Sequence, residues 1–277
     1  MRQPDFLCIG AQKAGSLWLY RRLMTHPKIW LPFVKEVHFF DSRSYGSTDY
    51  YKRRIRAELQ KAIGQASKDR RTASYAARLS SLDDGEMLSW EWYLRLFDLA
   101  PQDCKAGEIT PRYSTLPEED VRRMSQEMPD TKIIYVIRDP YERALSAFRM
   151  FVQSEPELAA HPELLEQKAL QWFERGDHTF GDYADFIPRW DKHFEEGSNL
   201  LYVPFAAIAQ TPNRILRQIE NFIGVRPRWL HPGARRKANR TKAFSAPRWI
   251  EERLQEEMRP HRDFVRSRFS SDFCKQL

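Results

Sequence analysis

Near its start the chain carries two glycines that bracket a lysine, Gly10-Ala11-Gln12-Lys13-Ala14-Gly15-Ser16-Leu17, reached directly from the apolar run Phe6-Leu7-Cys8-Ile9. A lysine, a hydroxyl and unpaired backbone amides in such a strand-to-helix turn can hold a phosphate. The loop N–H groups and those of the first helical turn point at one spot, and the helix dipole adds positive potential there. A second anion site is written further on. Lys132-Ile133-Ile134-Tyr135-Val136-Ile137 is a continuous apolar run of the kind found in strands buried on both faces of a parallel sheet, and it ends in Arg138-Asp139-Pro140. Pro140 stops the strand and opens a helix, which places Arg138 at the strand's carboxyl end and Ser146 about two turns along the helix. A guanidinium fork and a hydroxyl can converge there on one anion, at the edge where open α/β sheets bind ligands.

The first loop has the glycine separation of a nucleoside triphosphate loop, G-x-x-x-x-G-K-[ST], but its lysine lies inside the loop instead of after the second glycine. That displacement argues for a different phosphate arrangement. G-x-x-K-x-G-[ST] resembles the 5′-phosphosulfate loop of the sulfotransferases, and Arg138 to Ser146 is similar to their 3′-phosphate motif, R-D-P-x-x-R-x-x-S, at every specified position. The resemblance implies 3′-phosphoadenosine 5′-phosphosulfate (PAPS) as sulfuryl donor and adenosine 3′,5′-bisphosphate (PAP) as product. It also implies no metal, since cationic side chains and loop amides take the neutralising part that magnesium takes for ATP. Residues Gly10, Ala11, Gln12, Lys13, Ala14, Gly15, Ser16 and Leu17 would line the 5′ end of the donor. Leu17 stands where many relatives have a second hydroxyl, which leaves Ser16 as the side-chain oxygen. Arg138 and Ser146 would hold the 3′-phosphate.

Lys35-Glu36-Val37-His38-Phe39-Phe40-Asp41 resembles a K-E-x-H-[FY]-F segment of the heparan sulfate type of sulfotransferase and its bacterial relatives. In that branch the glutamate is catalytic. Sulfuryl transfer is an in-line displacement in which a base takes the acceptor proton and cations neutralise charge on the leaving oxygen. The resemblance therefore makes Glu36 the candidate base, with His38 the second candidate because its ordinary pKa lies near neutrality. Lys13 becomes the candidate for the leaving group, and Lys35 a second sulfonate contact. Gly107-Glu108-Ile109-Thr110-Pro111-Arg112-Tyr113 is similar to the family's segment near the acceptor; many relatives have a lysine where this chain has Ile109, and Arg112 is the compensating cation. Pro204-Phe205 replaces the usual Tyr-Glu after the late strand Leu200-Leu201-Tyr202-Val203. The run from Arg235 to Lys242 falls where relatives place a basic loop over the nucleotide, with Lys237 and Asn239 as candidate contacts.

The elements that must position these residues alternate. A strand and helix over residues 5–25 lead to the Glu36 segment, then a polar, mostly helical insertion from Tyr50 to about Asp83 and a helix around Trp90, Trp92, Tyr93 and Phe97. The Ile133 strand and Ser146 helix follow, then a second helical insertion around 155–178, the Leu200 strand, a helix over Asn213–Ile223 and a basic tail. Alternation of this kind predicts an α/β fold, a P-loop-like parallel sheet with helices on both faces and helical insertions. The insertions border the sheet's carboxyl edge, where acceptor specificity is expected. Trp18, Trp90 and Trp92 fit the core better than a ligand platform.

Composition sets wider bounds. The 277 residues, 42% of them hydrophobic, suffice for a sizeable core, and without a Pro-, Gly- or Ser-rich linker residues 1–277 read as one domain. A net charge of +7 suits a multiply anionic nucleotide; the cations are scattered and form no nucleic-acid-binding module, so nucleic acid is not the expected partner. A small-molecule or carbohydrate acceptor is. Cys8, Cys104 and Cys274 are widely spaced, without metal-ligand pairing, which points to a reducing compartment. The first strand begins at about residue six, leaving no room for a signal peptide or membrane anchor before it, so a cytoplasmic, bacterial enzyme is expected of a full-length chain. Two rivals stay open: a P-loop kinase or NTPase, and a non-catalytic nucleotide- or polyanion-binding protein. Oligomeric state is not written in the sequence.

Overall fold

The structure, a computed structural model, describes residues 1–68, 73–236 and 244–277. The N-terminal half runs β1 (Phe6–Gly10), α1 (Ser16–Leu23), β2 (Ile29–Trp30), α2 (Phe39–Ser44), α3 (Thr48–Ala66), α4 (Ala73–Ser80), α5 (Trp90–Asp98) and β3 (Lys105–Ile109). It continues through α6 (Glu118–Glu127), β4 (Lys132–Ile137), α7 (Pro140–Ser154), α8 (Pro162–Glu174), α9 (Tyr183–Asp191), β5 (Leu200–Pro204), α10 (Phe205–Gln210), α11 (Pro212–Ile223), α12 (Arg248–Arg268) and α13 (Ser271–Cys274). The five strands pair in parallel, in the order β2-β3-β1-β4-β5, and helices flank the sheet. This is the expected α/β architecture.

The central strands are sealed. Every residue of β1 is buried, and so are Ile133 to Ile137 of β4, which explains their unbroken apolar composition: both faces lie under helices. The chain leaves β1 towards β2 and β3 on one side and reaches β4 and β5 on the other, so the order reverses between β1 and β4. At such a switch point the loops after two adjacent strands part and open a crevice at their carboxyl ends. The loop 10–15 and the turn 138–140 are the two that part here.

Local chemistry fixes both turns. Pro140 occupies the first position of α7 and the Asp139 carboxylate caps it, accepting from the Glu142 N–H at 3.0 Å. Gly15, with φ +86°, turns the loop into α1, a conformation that L side chains adopt at a cost. Two elements depart from the sequence reading. The C-terminal region, expected as a basic tail, contains the 21-residue α12, which buries Ile250, Leu254, Met258 and Val265. With α7 and α8 it makes a second apolar cluster beside the main one around the sheet. The Gly107–Tyr113 segment begins as a central strand, β3, with Ile109 buried in it.

Candidate active site

The two segments that carry the candidate anion-binding residues meet across the crevice. Arg138, at the end of β4, donates from Nη1 to the Lys13 carbonyl at 2.8 Å, so the second motif holds the first loop directly. The Arg138 guanidinium also lies 4.7 Å from the Phe205 ring centroid and 3.7 Å from Glu142. Phe205, opening α10 just after β5, thus supplies the flat face on which the arginine rests, in the place where a carboxylate was expected to be missed. The Ser146 hydroxyl, in the buried face of α7, has no hydrogen-bond partner among the described residues. Among the described residues the one hydrogen-bond contact of the Lys13 ammonium is the Met150 sulfur, at 3.3 Å. Burial, then the Arg138 and Arg143 guanidiniums, push the Lys13 pKa down; burial does the same to Arg138. Three cations are therefore gathered at the crevice. Ala11 and Ala14 are buried beneath the loop, whereas Gln12, Ser16 and Leu17 are half-exposed. Gly10 is required by closeness: a Cβ there would stand 2.7 Å from that of Ser114.

Arg143, the second arginine of the 3′-phosphate motif, is the member sequence reasoning left without a role. It is wholly buried; Nη2 donates to the His178 carbonyl, and burial takes its pKa down to about 10. Gly181 is shaped to it, since a Cβ there would lie 2.7 Å from Arg143 Nε. Tyr183, two residues on, accepts from the Arg138 N–H at 3.3 Å. The segment 178–183 is thereby pinned against the end of β4 and against α7.

The Glu36 segment hangs from the end of β3. Glu108, fully buried, accepts from Tyr93 at 2.7 Å, Tyr113 at 2.9 Å, Thr110 at 2.7 Å and the Val37 N–H at 3.3 Å. Tyr113 in turn accepts from the Phe39 N–H at 2.9 Å. These bonds hold the backbone on either side of His38, while Glu36 and His38 both take positive φ, 65° and 57°. The Glu36 carboxylate pairs with Lys35 through one oxygen and faces His38 Nε2 at 3.5 Å through the other. Burial alone raises its pKa, but His38 and Lys35 outweigh that and hold it at about 2. His38 is buried, stacked on Tyr51 with ring centroids 4.0 Å apart, and its Nδ1 lies 2.8 Å from the buried Asp41. Burial disfavours its charged form; Asp41 and Glu36 more than restore it, so the imidazole pKa is raised.

Arg112 closes this corner, with Nε 3.6 Å from Asp41 and its guanidinium between the Tyr45 and Phe180 rings, at 4.9 and 5.3 Å. Lys35, Glu36, His38 and Arg112 are thus brought together. Sequence reasoning missed Asp41, although its spacing of three from His38 was a readable sign, and the anchor formed by Glu108 with the two tyrosines. Lys237 and Asn239 lie outside the described residues. Among the described residues no group of three or more His, Cys, Asp or Glu is placed to hold a metal ion.

The crevice with its two phosphate motifs is matched at the level of family. Residues 4–229 fit the Sulfotransferase family, and the chain belongs to it. It is 26% identical over 232 residues to heparan sulfate glucosamine 3-O-sulfotransferase 3B1 of Mus musculus, covering 80% of this chain and 46% of that one. It is 25% identical over 241 residues to bifunctional heparan sulfate N-deacetylase/N-sulfotransferase 4 of Mus musculus, covering 82% and 23%. The chain therefore spans less than half the length of these two curated relatives. A sulfotransferase from Alicyclobacillus acidocaldarius shares the fold with a TM-score of 0.61 at 22% identity, over 99% of both chains. The sulfotransferase domain from the curacin biosynthetic pathway does so at 0.55 and 14%, over 94% of this chain and 99% of that one. Among the described residues no helix is long and apolar enough to cross a membrane.

Proposed function

We propose that this chain, as a single domain, transfers the sulfuryl group of PAPS to a hydroxyl or amine of a carbohydrate or small-molecule acceptor. The observation that carries the reading is the contact between Arg138 and the Lys13 carbonyl, which sets two anion sites side by side, as a nucleotide phosphorylated at both its 5′ and 3′ ends requires. Residues 10–17 take the 5′-phosphosulfate, Arg138 and Ser146 the 3′-phosphate, and Lys237 and Asn239 the nucleotide from the basic loop. The acceptor oxygen attacks sulfur as the bond from sulfur to the bridging phosphate oxygen breaks. The acceptor proton passes to Glu36, and Lys13 neutralises the leaving PAP.

Glu36 enters this step as a carboxylate already ionised and aimed by His38, with His38 aimed by Asp41. A carboxylate held near 2 is a weak base, so an arriving acceptor that displaces Lys35 from it also strengthens it. Lys35 is then released towards the sulfonate, and Arg112 with Tyr45 and Phe180 borders the acceptor. The curated relatives are named for heparan sulfate, which supports a carbohydrate among the acceptors to screen. Three free cysteines suit a cytoplasmic setting.

Thermal stabilisation by PAP, set beside 5′-AMP and Mg-ATP, tests the donor site, because a ligand of the folded state raises the melting temperature by mass action. A shift with PAP far above the other two is expected; stabilisation by Mg-ATP alone would transfer the chain to the kinases. Glu36→Gln should keep the PAP shift and lose most turnover once an acceptor is found. Full turnover in that variant would remove Glu36 as base.

A further inference from the structure

The segment that follows α11 carries a surface the reaction leaves unused. Trp229 is 86% exposed and Leu230 63%, side by side at the tip of the turn. Within this stretch of chain the charge is one-sided. Residues 213–236 hold six arginines and one acid, Glu220, and that acid is fully buried next to His231, accepting from the Arg228 N–H at 2.9 Å. The arginines are tied to the same turn. The Arg217 guanidinium lies 5.5 Å from the Trp229 ring centroid, and Arg228 donates to the Thr25 carbonyl at 2.9 Å, next to the exposed Met24. Arg226 and Arg235 are exposed.

We propose that this face docks the protein peripherally on an anionic phospholipid surface, with Trp229 and Leu230 entering the boundary between headgroups and acyl chains and the arginines meeting lipid phosphates. An indole with an apolar neighbour, ringed by cations, is the pattern that interfacial binding favours: the ring sits at headgroup depth, and the cations are drawn to the negative surface. A second copy seated on the same face would set arginines against arginines with no exposed acid in this segment to receive them. A soluble polyanion would satisfy the arginines but leave Leu230 in water. The tip of the turn is also separate from the crevice: Arg228 is held to Thr25, just past the C-terminal end of α1, whereas the loop 10–15 enters the other end. The eight residues of α1 put its far end on the order of 12 Å from Ser16.

Sedimentation of the full chain with phosphatidylcholine vesicles, with and without phosphatidylglycerol, tests this. Binding should require phosphatidylglycerol and weaken as salt rises. Arg217→Gln with Arg226→Gln should lower vesicle affinity by about 25-fold, at about fivefold for each near-surface cation. Trp229→Ser with Leu230→Ser should lower it at least ~10-fold, the scale of exposing one large apolar side chain, while the melting temperature stays at the wild-type value. Failure of the wild type to sediment with phosphatidylglycerol vesicles would overturn the proposal. So would unchanged sedimentation of the Trp229/Leu230 variant, which would make the face a site for soluble polyanions.

Discussion

Replacing Glu36 by glutamine tests whether Lys35 and His38 hold that carboxylate in its charged form. Although burial works the other way, they take its pKa from the ordinary 4.5 to about 2. A group whose folded pKa is depressed adds stability that is complete above pH 4.5 and is lost as the pH falls towards 2. The whole difference between 4.5 and about 2, at about 1.4 kcal/mol for each tenfold in proton affinity, sets an upper bound of roughly 3–4 kcal/mol, and exposure of 30% of the side chain reduces it through solvent screening. The measurable part lies between about pH 5.5 and 3.5, where His38, with its raised pKa, is charged in both folded and unfolded chains and cancels. Across that window the wild type should lose about 1.4 kcal/mol through Glu36, and the glutamine variant nothing at this position. Urea unfolding of both proteins at both pH values reads the effect as a double difference. The wild-type advantage should shrink by about 1 kcal/mol on acidification; parallel behaviour within about 0.3 kcal/mol would show that Glu36 is not held below its ordinary value, and the account of its environment would fail.

Three further outcomes follow from contacts already described. Arg138→Ala should weaken PAP binding by ~10- to 100-fold, the worth of a charge-assisted hydrogen bond to phosphate, with little change for 5′-AMP, as calorimetric titration would show. Glu108→Ala strands two tyrosine hydroxyls, a threonine hydroxyl and a backbone N–H; it should cost about 3 kcal/mol or more in denaturant unfolding and depress turnover more than PAP affinity. Gly181→Ala puts a methyl 2.7 Å from Nε of a guanidinium with no room to retreat, and a loss of about 1–3 kcal/mol by thermal unfolding is expected.

The positions of the candidate site residues were more legible than the frame around them. Lys13, Arg138 and Ser146 could be placed because a phosphate loop and a proline-started helix obey local rules, and β4 because a strand buried on both faces has nowhere to put a polar residue. The strand β3 escaped notice for the opposite reason. Its sequence Lys-Ala-Gly-Glu-Ile carries a glycine, Gly107, that lets the backbone press against Phe6, and a glutamate whose four donors come from three other stretches of chain and its own strand's end. Neither leaves a pattern within five residues. The helix α12 was hidden by its charge, 21 residues dense in arginine and glutamate with an internal Pro260, although Ile250, Leu254 and Met258 recur every four positions. Its Arg262 bonds Asp139 at 2.9 Å, so an element that resembled a tail steadies the cap of the helix bearing Ser146.

The crowding of Lys13, Arg138 and Arg143 carries a practical consequence for anyone handling the protein. Burial first, and then the neighbouring cations, lower the proton affinity of Lys13 and Arg143, so charges of one sign are held together at the crevice and a small dianion in the buffer would relieve their repulsion. If the crevice takes a nucleotide as proposed, sulfate or phosphate carried through purification would steady the fold and compete with that nucleotide, blunting every titration that follows. A chloride buffer at modest ionic strength, with the protein freshly desalted, is the state in which its affinities can be read.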